Sequence, residues 1–171
     1  MEPLRNVRDR VAAEAETHAA GEDRPLGGYA LLLTTYSTLV VLLITLVRRR
    51  RIPLPERPPL RDLVMIAVAT HKLSRMIAKD SVLATVRAPF TRYREPAGAG
   101  EVNEEVRGTG ARHAVGELVT CPFCLAQWVG TGFTFGMILA PRATRQVATL
   151  MCAVAASDAL QFAYAKLEAS A

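Results

Sequence analysis

The clearest candidate for chemistry is a pair of cysteines, Cys121 and Cys124, which are separated by a proline and a phenylalanine at the start of an apolar stretch. The N–H groups and the dipole of a helix N-terminus favour the thiolate, the form of cysteine that attacks disulfides and binds metals. This C-x-x-C spacing is typical of a redox dithiol or of half of a tetrahedral zinc site. A third interpretation is that two small, soft residues pack at a helix start.

Both chemical interpretations lack some of the residues they need. His113 precedes Cys121 by eight positions and could be a third zinc ligand, but the sequence indicates no fourth. A membrane thiol oxidase would pass electrons through a second cysteine pair, whereas only Cys152 remains, within another apolar stretch. We therefore name Cys121 and Cys124 as candidate redox residues, and the same pair with His113 as candidate zinc ligands. No other cofactor is predicted.

A further candidate is Asp158, the single charge within the last apolar stretch. An acid at that depth is costly and normally faces the interior of a bundle with a partner. His71, Lys72 or Arg75 could be that partner. Such a pair would hold the helix predicted at 62–79 against the last helix. Alternatively, Asp158 lies near enough to the end of its helix to reach water.

The apolar stretches predict the helices that position these groups. Residues 29–47 carry no charge over nineteen positions, close to the roughly 20 residues that cross about 30 Å of hydrocarbon. Residues 121–140 and 147–164 are further spanning candidates, and the short link between them predicts an antiparallel pair. Residues 62–79 carry a basic stripe along their second half, so this helix either spans the membrane or lies at its interface.

The polar segments divide the chain. Residues 1–28 mix arginines with acids and predict a flexible, solvated leader. Residues 48–61 begin with four arginines and continue with prolines, which predicts a stiff connector. Within a helical membrane domain at 62–165, residues 80–120 are rich in charge, glycine and proline, and we expect a polar loop without strands.

The formal charge of +5 and the pI near 9.5 come largely from short arginine-rich segments, as in loops beside an anionic membrane surface. The sequence has no glycine-rich phosphate loop and no basic surface interleaved with aromatic residues, so no nucleic-acid partner is predicted. Arginines 48–51 are expected to stay in the cytoplasm. We favour a cytoplasmic 80–120 segment, which requires that helix 62–79 does not cross. If that helix crosses, the two segments lie on opposite sides.

Two glycines, Gly132 and Gly136, form a G-x-x-x-G pattern within the 121–140 stretch. Small residues at this spacing let membrane helices approach closely. The pattern therefore favours tight packing within the bundle or a homodimer through these two glycines.

Three segments together, HKLSRMIAKD, VRAPF and GTGARHAVGELVTCPFCLAQWVG, carry a family likeness. The matching positions are Lys72, Arg75, Asp80, Arg87, Pro89, Phe90, Gly116, Glu117, Cys121, Cys124 and Trp128. The chain resembles the bacterial membrane proteins grouped as domain of unknown function 1360, over about residues 62–165. The resemblance implies no established activity. It does imply that helix 62–79 is embedded in the membrane, and that Arg75, Asp80, Arg87 and the C-x-x-C share one site.

The sequence thus predicts an all-α, multi-pass protein of the cell membrane, a small bundle of three to four membrane helices with a polar loop. The lipid bilayer is its first predicted partner. The leading functional hypothesis is a non-enzymatic scaffold or assembly partner that bears a C-x-x-C at a membrane helix start. The alternatives are a membrane thiol–disulfide oxidoreductase and a zinc-stabilised membrane module.

Overall fold

The computed structural model describes residues 13–14, 17, 24–54 and 57–170, and most of the leader predicted at 1–28 lies outside them. Residues 24–54 and 57–170 are mostly helical, with one two-stranded sheet, so the expected helical fold class is confirmed. The helices are α1 (Leu26–Arg49), α2 (Leu60–Lys79), α3 (Ala84–Arg87), α4 (Gly110–Thr120), α5 (Pro122–Leu139) and α6 (Pro141–Glu168), and the strands are β1 (Thr91–Gly98) and β2 (Glu101–Val106).

Among the described helices, α1, α5 and α6 are long and apolar enough to cross a membrane. The 24 residues of α1 extend about 36 Å at about 1.5 Å per residue. Only Gly28 and Val47 of this helix are buried, and half of its large aliphatic side chains are exposed. A helix that is apolar on all faces suits a lipid environment better than water.

The core lies where α2, α5 and α6 meet. Its buried members are Ala69, Phe133, Ala148 and Met151. The two alanines have no exposed surface, and small side chains of this kind let helix backbones approach closely. Partly buried side chains, mostly of α2, pack around this cluster, so α2 is the central helix although it is the least apolar of the four long ones.

Two ion pairs show that α2 and α6 run in the same direction. Arg145 donates from Nη2 to Asp62 Oδ2 at 2.8 Å near the start of both helices. Further along both helices, Lys72 Nζ lies 2.5 Å from Asp158 Oδ2. Because α6 follows α5 after a tight turn, α5 runs in the opposite direction to both.

Contacts of α1 fix its direction relative to α5. Near the start of α1, the Tyr29 hydroxyl donates to Glu117, which precedes α5. Farther along, the Tyr36 hydroxyl lies 2.8 Å from Thr131 Oγ1 of α5. The two helices are therefore parallel. The bundle has one end at which α1 and α5 begin, which we call the cap end, and an opposite end near residues 48–51, which we call the arginine end.

The short link at 141–146 belongs to α6 and does not form a loop. Ala140 alone separates α5 from α6, which begins at Pro141. Proline is well tolerated at the first helical position, because that residue has no intrahelical acceptor for an N–H. A Cβ on Gly136 would lie 2.7 Å from Thr144 Oγ1, so this glycine allows α6 to pass close to α5.

The 80–120 segment is not a strandless loop, so this prediction was wrong. Strands β1 and β2 pair antiparallel from Thr91↔Val106 to Gly98↔Glu101. Gly98 and Gly100 have φ values of 105° and 82°, which favour glycine and allow the chain to reverse. Together with α3 and α4, this hairpin forms a folded layer over the cap end. We call residues 80–120 the cap.

Candidate functional site

The two cysteines lie at the first turn of α5. Cys121 is the N-cap residue, and its sulfur accepts a hydrogen bond from the Cys124 backbone N–H at 3.2 Å. Cys124 is exposed and Cys121 is half-buried, and both are free thiols. The placement at a helix start, predicted from the apolar stretch that follows the cysteines, is what the structure shows. The arrangement presents two thiols side by side at an accessible helix end.

A surface groove of about 520 Å³ runs beside the two thiols. It is formed by the first turns of α1, by α4 and by the start of α5. The polar side chains that line it include Arg24, Tyr29 and Glu117, and both cysteines contribute to its wall. The groove is open to its surroundings, so a second molecule can reach the sulfur atoms.

The groups on α4 near this groove are engaged with each other. Glu117 accepts the Tyr29 hydroxyl, and its Oε1 lies 3.6 Å from His113 Nε2. The other ring nitrogen of His113 lies 3.1 Å from the Gly108 carbonyl. Within residues 24–54 and 57–170, no group of three or more His, Cys, Asp or Glu side chains could hold a metal ion. His113 is therefore not placed as a third ligand beside the cysteines.

The arginines of the sequence motif hold the cap onto α2. Arg87 has no exposed surface; it donates from Nε to Glu104, from Nη1 to the Ile77 carbonyl at 2.7 Å and from Nη2 to the Asp80 carbonyl at 2.9 Å. One guanidinium thus joins β2 to the end of α2. A buried arginine is stable only when its donors and charge are satisfied in this way.

A second, more exposed pair lies beside it. Arg75 donates from Nε and Nη2 to the two carboxylate oxygens of Glu101, each at 2.7 Å. Asp80 forms a β-bridge with Glu101, and its carboxylate accepts the Val82 N–H at 2.8 Å. Arg75, Asp80 and Arg87 therefore do meet, at the junction between α2 and the hairpin.

The structure does not join this junction to the dithiol through hydrogen bonds or ion pairs of the described residues. A Cβ on Gly116 of α4 would lie 2.5 Å from Val106, so this side of α4 contacts the hairpin. Ala114 and Glu117 of the same helix contact the first turn of α1. Cys121 and Cys124 line the groove on the side of α4 that contacts α1. The two motifs occupy the same end of the bundle but form separate sets of contacts.

Asp158 is paired with Lys72, one of the three partners considered from the sequence. The pair joins α2 to α6, and both side chains are partly shielded from solvent. Gly132, by contrast, is exposed and a Cβ on it would meet nothing within 4 Å. The predicted homodimer through Gly132 and Gly136 would thus use one open position and one that already contacts α6.

The sequence profile of a family described as "Protein of unknown function (DUF1360)" matches residues 65–164. The chain belongs to this family. The family domain starts within α2 and includes the cap, the dithiol, α5 and most of α6, whereas α1 lies outside it. A sporulation protein of Bacillus subtilis, YjcA, is 26% identical over 92 residues, which cover 52% of this chain and 78% of that protein. No solved structure matches the chain.

Sequence reasoning missed the acidic partners of the family domain. Glu101 and Glu104 pair with the two motif arginines, and Asp62 pairs with Arg145. The available signal was charge complementarity, because a run of acids in the polar segment follows the basic motif along the sequence. The Asp62–Arg145 pair, which joins the starts of the parallel helices α2 and α6, had no comparable signal, since it depends on which helices are neighbours.

Proposed function

We propose that this chain is a multi-pass membrane protein whose cap acts as a scaffold for partner proteins at one membrane face. The observation that carries this proposal is that Arg87 donates hydrogen bonds to Glu104 and to the carbonyls of Ile77 and Asp80, and so holds the cap to α2. Arg75 also pairs with the hairpin, through Glu101, at a more exposed position. A folded layer anchored by buried contacts presents a preorganised surface, and preorganisation lowers the cost of binding a partner.

The packing of α2 supports four crossings. This helix runs parallel to α6 and contributes to the buried core with α5. Two of its charged groups are engaged within the protein, since Asp62 pairs with Arg145 and Lys72 with Asp158. A charge inside a membrane is tolerated when it faces the bundle and has a partner. We infer that α1, α2, α5 and α6 all cross, and that the cap and the arginine end lie on opposite sides.

The distribution of charge supports an orientation. The arginine end carries eight arginines and two acids in its two short connections. The arginines are Arg48, Arg49, Arg50, Arg51, Arg57, Arg61, Arg142 and Arg145. The cap, by contrast, has five arginines and six acids. Short loops rich in arginine are retained in the cytoplasm. We therefore place the arginine end inside and the cap outside, which replaces the cytoplasmic 80–120 segment favoured from the sequence alone.

Reporter fusions test the crossings and the orientation together. Alkaline phosphatase, which is active only outside the cytoplasm, is fused after Arg51, Lys79, Gly110 or Arg142. We expect activity after Lys79 and Gly110 and none after Arg51 and Arg142. Equal behaviour after Arg51 and Lys79 would show that α2 does not cross. The inverse pattern at all four positions would reverse the orientation.

Photocrosslinking in native membranes tests the scaffold. A photoreactive amino acid replaces Tyr93, which is exposed on the hairpin, or Leu33, which is equally exposed on α1 and faces lipid in our proposal. We expect discrete protein adducts from position 93 and none of the same adducts from position 33. Combining the probe with Arg87→Ala should abolish them, because the cap is no longer held in place. Adducts that persist in this variant, or are shared by both positions, would contradict the scaffold.

A further inference from the structure

The two cysteines at the start of α5 are nucleophilic groups that the proposed scaffold does not use. Cys124 is exposed, Cys121 is half-buried beside it, and neither is engaged in a disulfide. We propose that Cys121 and Cys124 form a thiol–disulfide exchange site whose substrate is a disulfide bond of a partner protein. The partner's disulfide would enter the groove formed by α1, α4 and α5.

Local geometry assigns different roles to the two thiols. The Cys121 sulfur already accepts the backbone N–H of Cys124 at 3.2 Å, so it lies over the first turn of α5. A thiolate at this position gains from the free N–H groups and the dipole of the helix N-terminus. Cys121 is therefore the attacking residue. The Cys124 side chain extends from the same turn and is placed to resolve the intermediate.

The groove makes the attack sterically feasible. Its wall contains both thiols together with apolar side chains such as Leu32 and Leu118. Its volume of about 520 Å³ is sufficient for several side chains of an extended polypeptide. Exchange requires access for the incoming disulfide, and the sulfur atoms of a packed helix start would lack it. The groove therefore gives both thiols the access that exchange requires.

The reaction conserves atoms and electrons. The Cys121 thiolate attacks one sulfur of the partner's disulfide, forms a mixed disulfide and releases the second partner sulfur as a thiolate. Cys124 then attacks the Cys121 sulfur, and its proton passes to the first partner sulfur as that sulfur leaves. The Cys121–Cys124 dithiol is oxidised by two electrons to a disulfide, and the partner's disulfide is reduced to a dithiol. The reverse exchange with a partner dithiol resets the site.

Cys152 provides an internal comparison. It lies within α6 and is half-buried, and its thiol donates to the Met65 carbonyl at 3.4 Å. It has neither a neighbouring thiol among the described residues nor the groups of a helix start. We expect Cys152 to react slowly with a soluble disulfide, so that it reports the background reactivity of the bundle.

The test uses the full chain in detergent micelles, with oxidised glutathione and a disulfide-linked peptide as probes. After acid quenching and alkylation, mass spectrometry locates each modified cysteine. We expect a Cys121–Cys124 disulfide that forms with either probe and is reversed by dithiothreitol. Cys124→Ser and Cys124→Ala should both accumulate a mixed disulfide at Cys121. Cys121→Ser should accumulate about ten-fold less at Cys124.

Three results would overturn the proposal. Equal trapping at Cys121, Cys124 and Cys152 would show that the helix start confers no reactivity. Release of zinc when the thiols are alkylated, with no disulfide formed by either probe, would identify a metal module. Failure of both probes on a chain that elutes as a single species would leave the cysteines a packing role. None of these results depends on the orientation of the cap or on its scaffold function.

Discussion

Replacing Arg87 with methionine should be the most damaging single change in the cap. The substitution leaves the Glu104 carboxylate buried without its counter-charge, since its side chain is only 4% exposed. It also removes the donors to the carbonyls of Ile77 and Asp80. Breaking one partner of a buried pair costs about 3–5 kcal/mol, and a buried carbonyl without a donor adds roughly 1 kcal/mol. We expect the free energy of opening the cap to fall by at least about 4 kcal/mol, the lower end of this sum.

Limited proteolysis measures this opening directly. Trypsin can cleave β1 after its exposed residues Arg92 and Arg94 once the hairpin leaves the surface. When opening is fast relative to cleavage, the rate follows the population of the open form. A loss of about 4 kcal/mol then raises the cleavage rate by roughly a thousand-fold, up to the rate of an unstructured segment.

Arg75→Met is the matched control, because it breaks the neighbouring pair at a more solvated position. The side chain of Arg75 is 51% exposed and that of Glu101 is 25% exposed, so the loss should be about 0.2–1 kcal/mol. The double variant Arg87→Met/Glu104→Met removes the unpaired carboxylate and should recover about 2 kcal/mol. Equal cleavage rates of the two single variants, or a double variant cleaved as fast as Arg87→Met, would show that the buried Arg87–Glu104 pair does not hold the cap in place.

Two further changes test the packing. Gly116→Ala places a Cβ about 2.5 Å from Val106 and should cost about 1–3 kcal/mol of cap stability in thermal unfolding, whereas Gly132→Ala meets nothing within 4 Å and should cost none; similar melting points for both variants would contradict this contact. Lys72→Met leaves Asp158 unpaired within the bundle and should cost about 1–2 kcal/mol, with recovery on adding Asp158→Leu. If adding Asp158→Leu does not recover stability, the loss does not come from breaking the Lys72–Asp158 pair.

Much of the helical framework could be predicted because hydrocarbon imposes a strong constraint on sequence. Residues 29–47 lack charge over a membrane thickness, and α1 covers that range and a few residues on either side. The hairpin could not be predicted in the same way. Glu104 of β2 has a side chain that is only 4% exposed, and its charge is satisfied by Arg87 from outside the hairpin. Strand prediction relies on alternating apolar residues, and here a charge occupies the most shielded position of β2.

The sequence left open whether α2 crosses a membrane, again because charges of α2 are satisfied by other segments of the protein. Hydropathy averages over all faces of a helix, whereas α2 packs one face against α5 and α6 and leaves another exposed, with Leu63 and Val64 on it. Lys72 meets a carboxylate of α6, and Arg75 emerges at the cap, where it meets β2. The basic stripe that weakened the prediction of a span at 62–79 is thus the stripe that binds neighbouring elements. The central helix of a bundle can be the least apolar one, because its polar groups pair with protein groups instead of with water.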